Sequence, residues 1–240
     1  LFRSRETSLE QIKHIKNNSD VQIEIFVHGA LCISYSGQCL MSSLIGGRSG
    51  NRGSCAGSCR LKYDVIDGNN KKLNKGSYPL STKDLNSLEY IGDLIDAGVS
   101  SLKIEGRMKS KEYVYKVVSL YRKAIDSYYK NSAIIIDDDD MLELKKIFNR
   151  DYTKGFLNKA SNDDIINGYR PNHMGVNIGK VVSYNKGIAN IKLTDTVTIG
   201  SGLRVIDDNG DVGINVNDFY INNKLVKEGH AGNTISIKVN

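Results

Sequence analysis

The chain reads as an α/β protein: the C-terminal half of a (β/α)8 TIM-type barrel, followed by a small antiparallel β-barrel domain. Three observations predict this. Strand-like and helix-like segments alternate up to about residue 130, in the order β-α-β-(long loop)-α-β-α, which is the grammar of a parallel sheet. Only about three strands of that kind occur there, short of the eight that close a barrel. From Gly175 onward the pattern changes to short alternating strands separated by Asn-Lys-Gly and Asp-Asn-Gly turns.

Each element has a local reason. Leu1 to Glu6 reads as the end of a strand. Thr7 or Ser8 then caps a helix with Leu9, Ile12 and Ile15 on one face. Val21 to Val27 is rich in β-branched residues and predicts the next strand. Leu61 to Ile66 and a partner near Lys71 flank Asp67-Gly68-Asn69-Asn70, a β-hairpin signature. Ser81 or Thr82 is expected to cap a helix carrying Leu85, Leu88, Ile91, Leu94 and Ile95, stopped by Ala97-Gly98. Ser101 to Glu105 follows as a strand. Ser110 caps a long helix with a buried stripe of Tyr113, Val114, Val117, Val118, Tyr121 and Ile125. Asp137 to Asp140 reads as a helix start, acidic residues meeting the positive end of the helix dipole, so these aspartates need no metal.

The expected organisation is therefore residues 1–130 as the C-terminal part of a (β/α) barrel with a cysteine-rich loop at 28–60, 131–172 as a helical junction, and 173–240 as a small β-barrel that docks rather than catalyses. An open parallel edge invites aggregation, so the sequence is expected to be a piece of a longer barrel, or to be completed by another chain.

With 240 residues, 40% of them hydrophobic and 25% charged, the composition is globular. No apolar stretch approaches the roughly 20 residues that span a bilayer, so no membrane role is expected. No leader pattern opens the chain, so a reducing cytoplasm is the expected compartment and the cysteines are expected to be free thiols. A net charge of +6 suits an anionic partner such as RNA, but mildly.

All four cysteines lie in one segment, in the order C-x6-C-x15-C-x3-C: Cys32, Cys39, Cys55 and Cys59. Thiols in a glycine- and arginine-rich loop point to a metal or cluster. Iron-sulfur ligation tolerates this irregular spacing. Zinc is the alternative, although only Cys55 to Cys59 matches its short knuckles. Four buried thiols acting as small hydrophobes is the plain structural reading. Arg48, Arg52 and Arg60 place positive charge in the same loop, able to hold a phosphate or a small carboxylate cosubstrate, or to offset thiolate charge.

His28 stands at the C-terminal end of a predicted barrel strand, where such folds keep their chemistry, and is a candidate catalytic base, a ligand, or a strand-end histidine that bonds backbone. Strand alternation puts Glu24 on the same face, expected to point into the barrel, as a second candidate catalytic residue. Glu105 and Arg107 end the next strand, as a catalytic acid and a substrate contact or as a structural pair. Tyr35 stands between the first two cysteines, to stack on a base or to pack the loop. Neither H-E-x-x-H nor G-x-S-x-G occurs, so proteolysis would need a cysteine and His28 as a dyad, which does not explain four thiols.

At HGALCISYSGQC and GGRSGNRGSCAGSCR, and on through YPLSTKDL, SLKIEGRMKS, FNRDYTKGFL and PNHMGVNIGKVV, the chain resembles the peptidase U32 family, the collagenase-like proteases. The last two segments look more like its longer ribosomal-RNA-modifying branch. The resemblance implies one of two activities, proteolysis or oxygen-independent hydroxylation of bases in tRNA or rRNA, and relatives in ubiquinone synthesis carry a [4Fe-4S] cluster on cysteines. Carried over, Cys32, Cys39, Cys55 and Cys59 occupy the cysteine positions of the family segment and are candidate cluster ligands. An RNA-hydroxylating enzyme or factor is the expected function, with a protease acting on protein, or a zinc-stabilised binding scaffold, as alternatives.

Overall fold

A computed structural model describes residues 5–74, 76–158, 165–207 and 210–239. The chain divides into two compact units, Leu1–Gly175 and Val176–Asn240.

In the first unit, α1 (Leu9–Asn17) starts at Ser8 in a capping box: Ser8 Oγ accepts from the Gln11 N–H and Gln11 Oε1 accepts from the Ser8 N–H. The strand predicted at 21–27 lies three residues later, as β1 (Glu24–Ala30). The expected strand end at 1–6 falls mostly outside the described residues, and Arg5 and Glu6 form a turn. β3 (Ser101–Ile104) pairs parallel to β1, the one β-α-β step that the alternation foretold.

The helix expected from Leu85 does not form there. Asp84–Asn86 is instead a strand, β2, antiparallel to β1 with His28 opposite Asn86 and Ala30 opposite Asp84. A short 3-10 turn, Leu88–Tyr90, leads into α3 (Ile91–Asp96). Ser81 and Thr82 are buried and bond Arg60, so they are not helix caps. The spacing of Leu85, Leu88 and Ile91 mimics a helix, but pairing with β1 takes Leu85 into a small apolar cluster with Leu31 and Ile165. β4 (Tyr152–Thr153) joins β2 in parallel, giving a mixed sheet in the order β3-β1-β2-β4.

α4 (Lys111–Asn131) begins at Ser110, whose Oγ accepts from the Tyr113 N–H. Its buried face is Tyr113, Val117, Leu120, Tyr121 and Ala124. Val114 and Val118, expected in that stripe, are exposed. Tyr113, Val117, Leu120, Tyr121 and Ala124 pack with Ile23, Ile25 and Val27 into the main core. α5 (Asp138–Ile147) buries Leu144 in the same core, so part of the expected 131–172 junction is packed within this unit. Its acidic start pairs with α4: Lys123 meets Asp137 and Asp140, and Lys116 meets Asp140 and Glu143. The 61–74 segment holds one antiparallel bridge, Ile66 to Lys72, around a turn in which Asp67 Oδ1 accepts from the Asn69 and Lys71 N–H groups.

The second unit is all β. A five-stranded antiparallel sheet is built from β5 (Gly179–Asn185), β6 (Ile188–Leu193), β10 (Phe219–Ile221), β11 (Lys224–Val226) and β13 (Thr234–Lys238). Two paired ribbons accompany it, β7 (Val197–Thr198) with β12 (Glu228–Gly229) and β8 (Gly202–Asp207) with β9 (Gly210–Asn215). The Lys186-Gly187 and Asn222-Asn223 turns take positive φ at both positions, as tight two-residue hairpin turns require. The Asp-Asn-Gly turn lies partly outside the described residues. Ile191, Phe219 and Ile235 centre this unit's own core.

Gly29 is the backbone position on which the first sheet is most exacting. Its φ is +114°, and a Cβ there would stand 2.6 Å from the Glu105 carbonyl oxygen. Gly29→Ala is expected to cost about 2–3 kcal/mol, lowering Tm by about 4–10 °C. Gly37→Ala, at φ +77° with open space around it, is expected to cost less than half as much. Equal losses in thermal unfolding would contradict this packing.

Candidate functional site

A bulge decides where His28 goes. β1 pairs with β3 as Phe26 to Lys103 and then His28 to Ile104, so one extra residue of β1 interrupts the alternation. Glu24 stays at the start of the strand, where its carboxylate accepts from Ser101 Oγ at 2.8 Å and faces Lys103. His28 instead turns among three tyrosines, its ring centroid 5.6 Å from Tyr121 and Tyr152 and 6.0 Å from Tyr113. The expected sharing of one face by Glu24 and His28 fails for this reason.

His28 is 1% exposed. Burial and the nearby Lys109 charge hold its pKa down at about 3, so the ring is neutral near pH 7. Its Nδ1 lies 3.3 Å from the Tyr121 hydroxyl, and Nε2 is buried without a partner among the described residues. Tyr113 Oη and Asp84 Oδ2 are likewise buried and unpartnered there. Burial raises the phenol pKa of Tyr113, Tyr121 and Tyr152, so all three keep their protons.

Asp84 is fully buried, and its Oδ1 accepts from Arg150 Nε at 3.0 Å and Nη2 at 2.5 Å. Lys109 lies over the rings of Phe148 and Tyr113, and Arg150 over Phe148, which stacks on His173. Burial pulls the Lys109 pKa down to about 8. Asp84 opposes that fall, while Arg150 and Arg60 reinforce it. The result is a half-buried amine among aromatic rings, beside a carboxylate and two guanidiniums.

Arg60 joins this cluster to the cysteine loop. Its Nη1 donates to Ser81 Oγ at 2.8 Å and to the Thr82 carbonyl, and its Nη2 donates to Thr82 Oγ1 at 2.7 Å and the Leu31 carbonyl at 3.1 Å. Those contacts make Arg60 a structural staple, not a free phosphate ligand. Arg48 and Arg52 are exposed, and so is Tyr35 at 67%, which therefore does not pack the loop. Arg107 is exposed and reaches Glu105 through its backbone N–H, 3.2 Å from Oε1. Glu105 lies beside Gly29, and its own N–H donates to the His28 carbonyl at 2.8 Å.

The cysteine loop is folded locally. α2 (Met41–Gly46) separates Cys39 from Cys55, and 3-10 turns at Gly50–Arg52 and Ser58–Arg60 bracket Cys55. Buried Ser42 accepts from the Ala56 N–H at 3.0 Å and lies 3.9 Å from Cys55 Sγ, to which the Gly57 N–H donates at 3.3 Å. All four thiols are free. Burial raises the pKa of Cys59, Arg60 opposes the rise, and Cys32, Cys55 and Cys39 all add to it, so the other three thiols lie within electrostatic reach of Cys59. Among the described residues no three His, Cys, Asp or Glu side chains already stand at metal-holding distances. The donor chemistry, four soft thiols with an N–H aimed at sulfur and a guanidinium alongside, fits a thiolate-held cluster or zinc.

Asp84, Lys109, Tyr113, Arg150 and Tyr152 were not foreseen as site residues. A usable signal was present: Asp84 lies in YPLSTKDL, Lys109 in SLKIEGRMKS, and Arg150 and Tyr152 in FNRDYTKGFL.

Two outcomes are expected. The Lys109 amine should titrate near pH 8, followed by NMR of the methyl-labelled lysines. Asp84→Asn should lower that midpoint and Arg150→Gln raise it, and a midpoint near 10.5 would contradict the site. His28 also links stability to pH: its folded pKa is depressed, so stability is full above the unfolded value of about 6.5 and is lost as pH falls toward about 3. Urea unfolding at pH 7 and pH 4.5 should show a smaller pH dependence for His28→Asn than for the parent chain.

The model of peptidase family U32 matches residues 2–167. The chain is 37% identical to an uncharacterized protease of Methanocaldococcus jannaschii, over 99% of this chain and 62% of that protein. It is 37% identical to the 23S rRNA 5-hydroxycytidine synthase of Escherichia coli, over 89% of this chain and 34% of that protein. It is 44% identical to tRNA hydroxylation protein P1 of Bacillus subtilis, over 64% of this chain and 38% of that protein. The chain thus spans between a third and two thirds of the length of these relatives. No solved structure matches it. Among the described residues no helix is long and apolar enough to cross a membrane. With the family segments, the free thiols and these matches in agreement, the chain belongs to peptidase family U32.

Proposed function

We propose that this chain is the thiol-bearing part of an iron-sulfur-dependent RNA base hydroxylation enzyme or factor of the cytoplasm, acting on tRNA or rRNA. The observation that carries the reading is the junction at Arg60: its guanidinium ties the loop of four thiols to Leu31, Ser81 and Thr82, within electrostatic reach of Cys59, Asp84, Lys109 and Arg150. Two of the similar relatives are named for RNA hydroxylation.

Cys32, Cys39, Cys55 and Cys59 would hold a [4Fe-4S] cluster, which supplies one-electron chemistry when bound. The remaining roles belong to the chain itself. Lys109 and Arg150 bring positive charge that Asp84 only partly offsets, suited to a small carboxylate cosubstrate. The rings of Phe148, Tyr113 and Tyr152 pack around His28 and Lys109 and make the surroundings of these groups apolar. His28 is a neutral acceptor beside them. In the longer protein the β3-β1-β2-β4 sheet would form part of a (β/α)8 barrel, with the cysteine segment as a loop at its C-terminal rim.

The protease alternative is supported by the name of the archaeal relative. It needs an activated thiol, yet the Cys59 thiol is pushed up and His28 Nδ1 faces Tyr121. The test is the full-length protein expressed in a strain lacking its own U32 RNA hydroxylases, with the RNA nucleosides read by mass spectrometry. Hydroxylated pyrimidine should appear, and fall about tenfold or more with Cys55→Ser. Gelatin cleavage with no RNA product, in the same preparations, would replace this reading with the protease.

A further inference from the structure

The hydroxyl of Tyr121 has one proton and three neighbours. It lies 2.6 Å from the Val27 carbonyl, 3.1 Å from the Ser87 N–H and 3.3 Å from His28 Nδ1. A carbonyl only accepts and a backbone N–H only donates, so the phenolic proton goes to Val27, and the oxygen accepts from the Ser87 N–H, which is shared with the Val27 carbonyl 3.0 Å away. The remaining contact is then a hydrogen bond only if His28 Nδ1 carries the hydrogen and donates. A neutral imidazole has one N–H, so Nε2 is left as a bare lone pair. That atom is buried and has no partner among the described residues. A buried acceptor without a donor costs on the order of 1–3 kcal/mol, a cost that a ligand donor would remove.

The neighbouring ring supplies the complementary group. Tyr113, with its centroid 6.0 Å from that of His28, keeps its proton and has a buried, unpartnered hydroxyl. An unpartnered acceptor and an unpartnered donor thus sit on neighbouring rings, a pair that an N–H adjacent to a carbonyl or ring-nitrogen acceptor would satisfy. The pairing edge of a pyrimidine base carries that pattern.

We propose that Tyr121 is a positioning residue that locks His28 in the Nδ1–H tautomer, so that Nε2 accepts an N–H from the pairing edge of a pyrimidine while Tyr113 donates to the atom beside it. The tautomer follows from the hydrogen-bond geometry alone. Its use toward a base rests on the function proposed above.

The experiment is nitrogen-15 NMR of the full chain labelled at histidine, with His28 assigned through His28→Asn. The expected spectrum at pH 7 shows His28 neutral with the hydrogen on Nδ1. Tyr121→Phe should move it toward the Nε2–H form that free histidine prefers. An Nε2–H or a charged ring in the parent chain would overturn the lock, whether or not the variant folds. Adding uridine or cytidine should then shift the Nε2 resonance, and Tyr113→Phe should weaken that response. A locked tautomer with no nucleoside-induced shift would overturn the base contact. RNA hydroxylation is read separately by nucleoside mass spectrometry, so its loss with the tautomer intact would count against the function and not against the lock.

Discussion

The hydroxyl of Tyr121 is the contact on which the first unit's working end depends. It comes from α4, caps the Val27 carbonyl of β1, receives the Ser87 N–H that follows β2 and orients the ring of His28. Helix α4, strand β1 and the end of β2 are thereby tied together at one buried oxygen. Polar groups gathered this deep are stable only when their hydrogen bonds are mutually consistent. Of those around Tyr121, the Val27, Ser87 N–H and Nδ1 contacts are consistent, and His28 Nε2 and Ser87 Oγ are left without a partner among the described residues. Function is most economically sought where a fully specified network leaves a group unmatched.

A second constraint governs the cysteines. A loop of about 30 residues, rich in glycine, has little apolar surface to hold it, and α2 leaves Leu44 and Ile45 exposed. Arg60 supplies the fixed point. Its guanidinium replaces water for the Leu31 and Thr82 carbonyls and the Ser81 and Thr82 hydroxyls, which fixes Cys59 beside the sheet edge. The same positive charge moderates the effect of burial on the Cys59 thiol. Position and electrostatics are therefore set by one residue, and the thiols and the Asp84 cluster cannot be moved independently.

Legibility followed the range of the interaction. Ser8 and Ser110 were readable as caps because capping is decided within four residues. The Lys186-Gly187 turn was readable because its chemistry is local. β2 was not: the apolar spacing from Leu85 to Ile91 satisfies a helix, and only pairing with β1 excludes it. The bulge at Phe26 to His28 has no sequence signature, so the face given to Glu24 and His28 was taken from an alternation that the fold breaks. Arg60 was legible as charge near thiols, but its partners at Leu31, Ser81 and Thr82 lie 21 to 29 residues away and turn an anion ligand into a staple. The cysteine segment itself was plain from the sequence, whereas Asp84, Lys109 and Arg150 lie in three separate segments that only the fold brings together.

In the proposed function the four thiols hold a redox cluster and serve neither proteolysis nor zinc. Metal analysis of the full-length protein purified without oxygen tests it most directly. About four iron and four sulfide per chain are expected, with the iron lost from Cys-to-Ser variants. Stoichiometric zinc without iron or sulfide would contradict it.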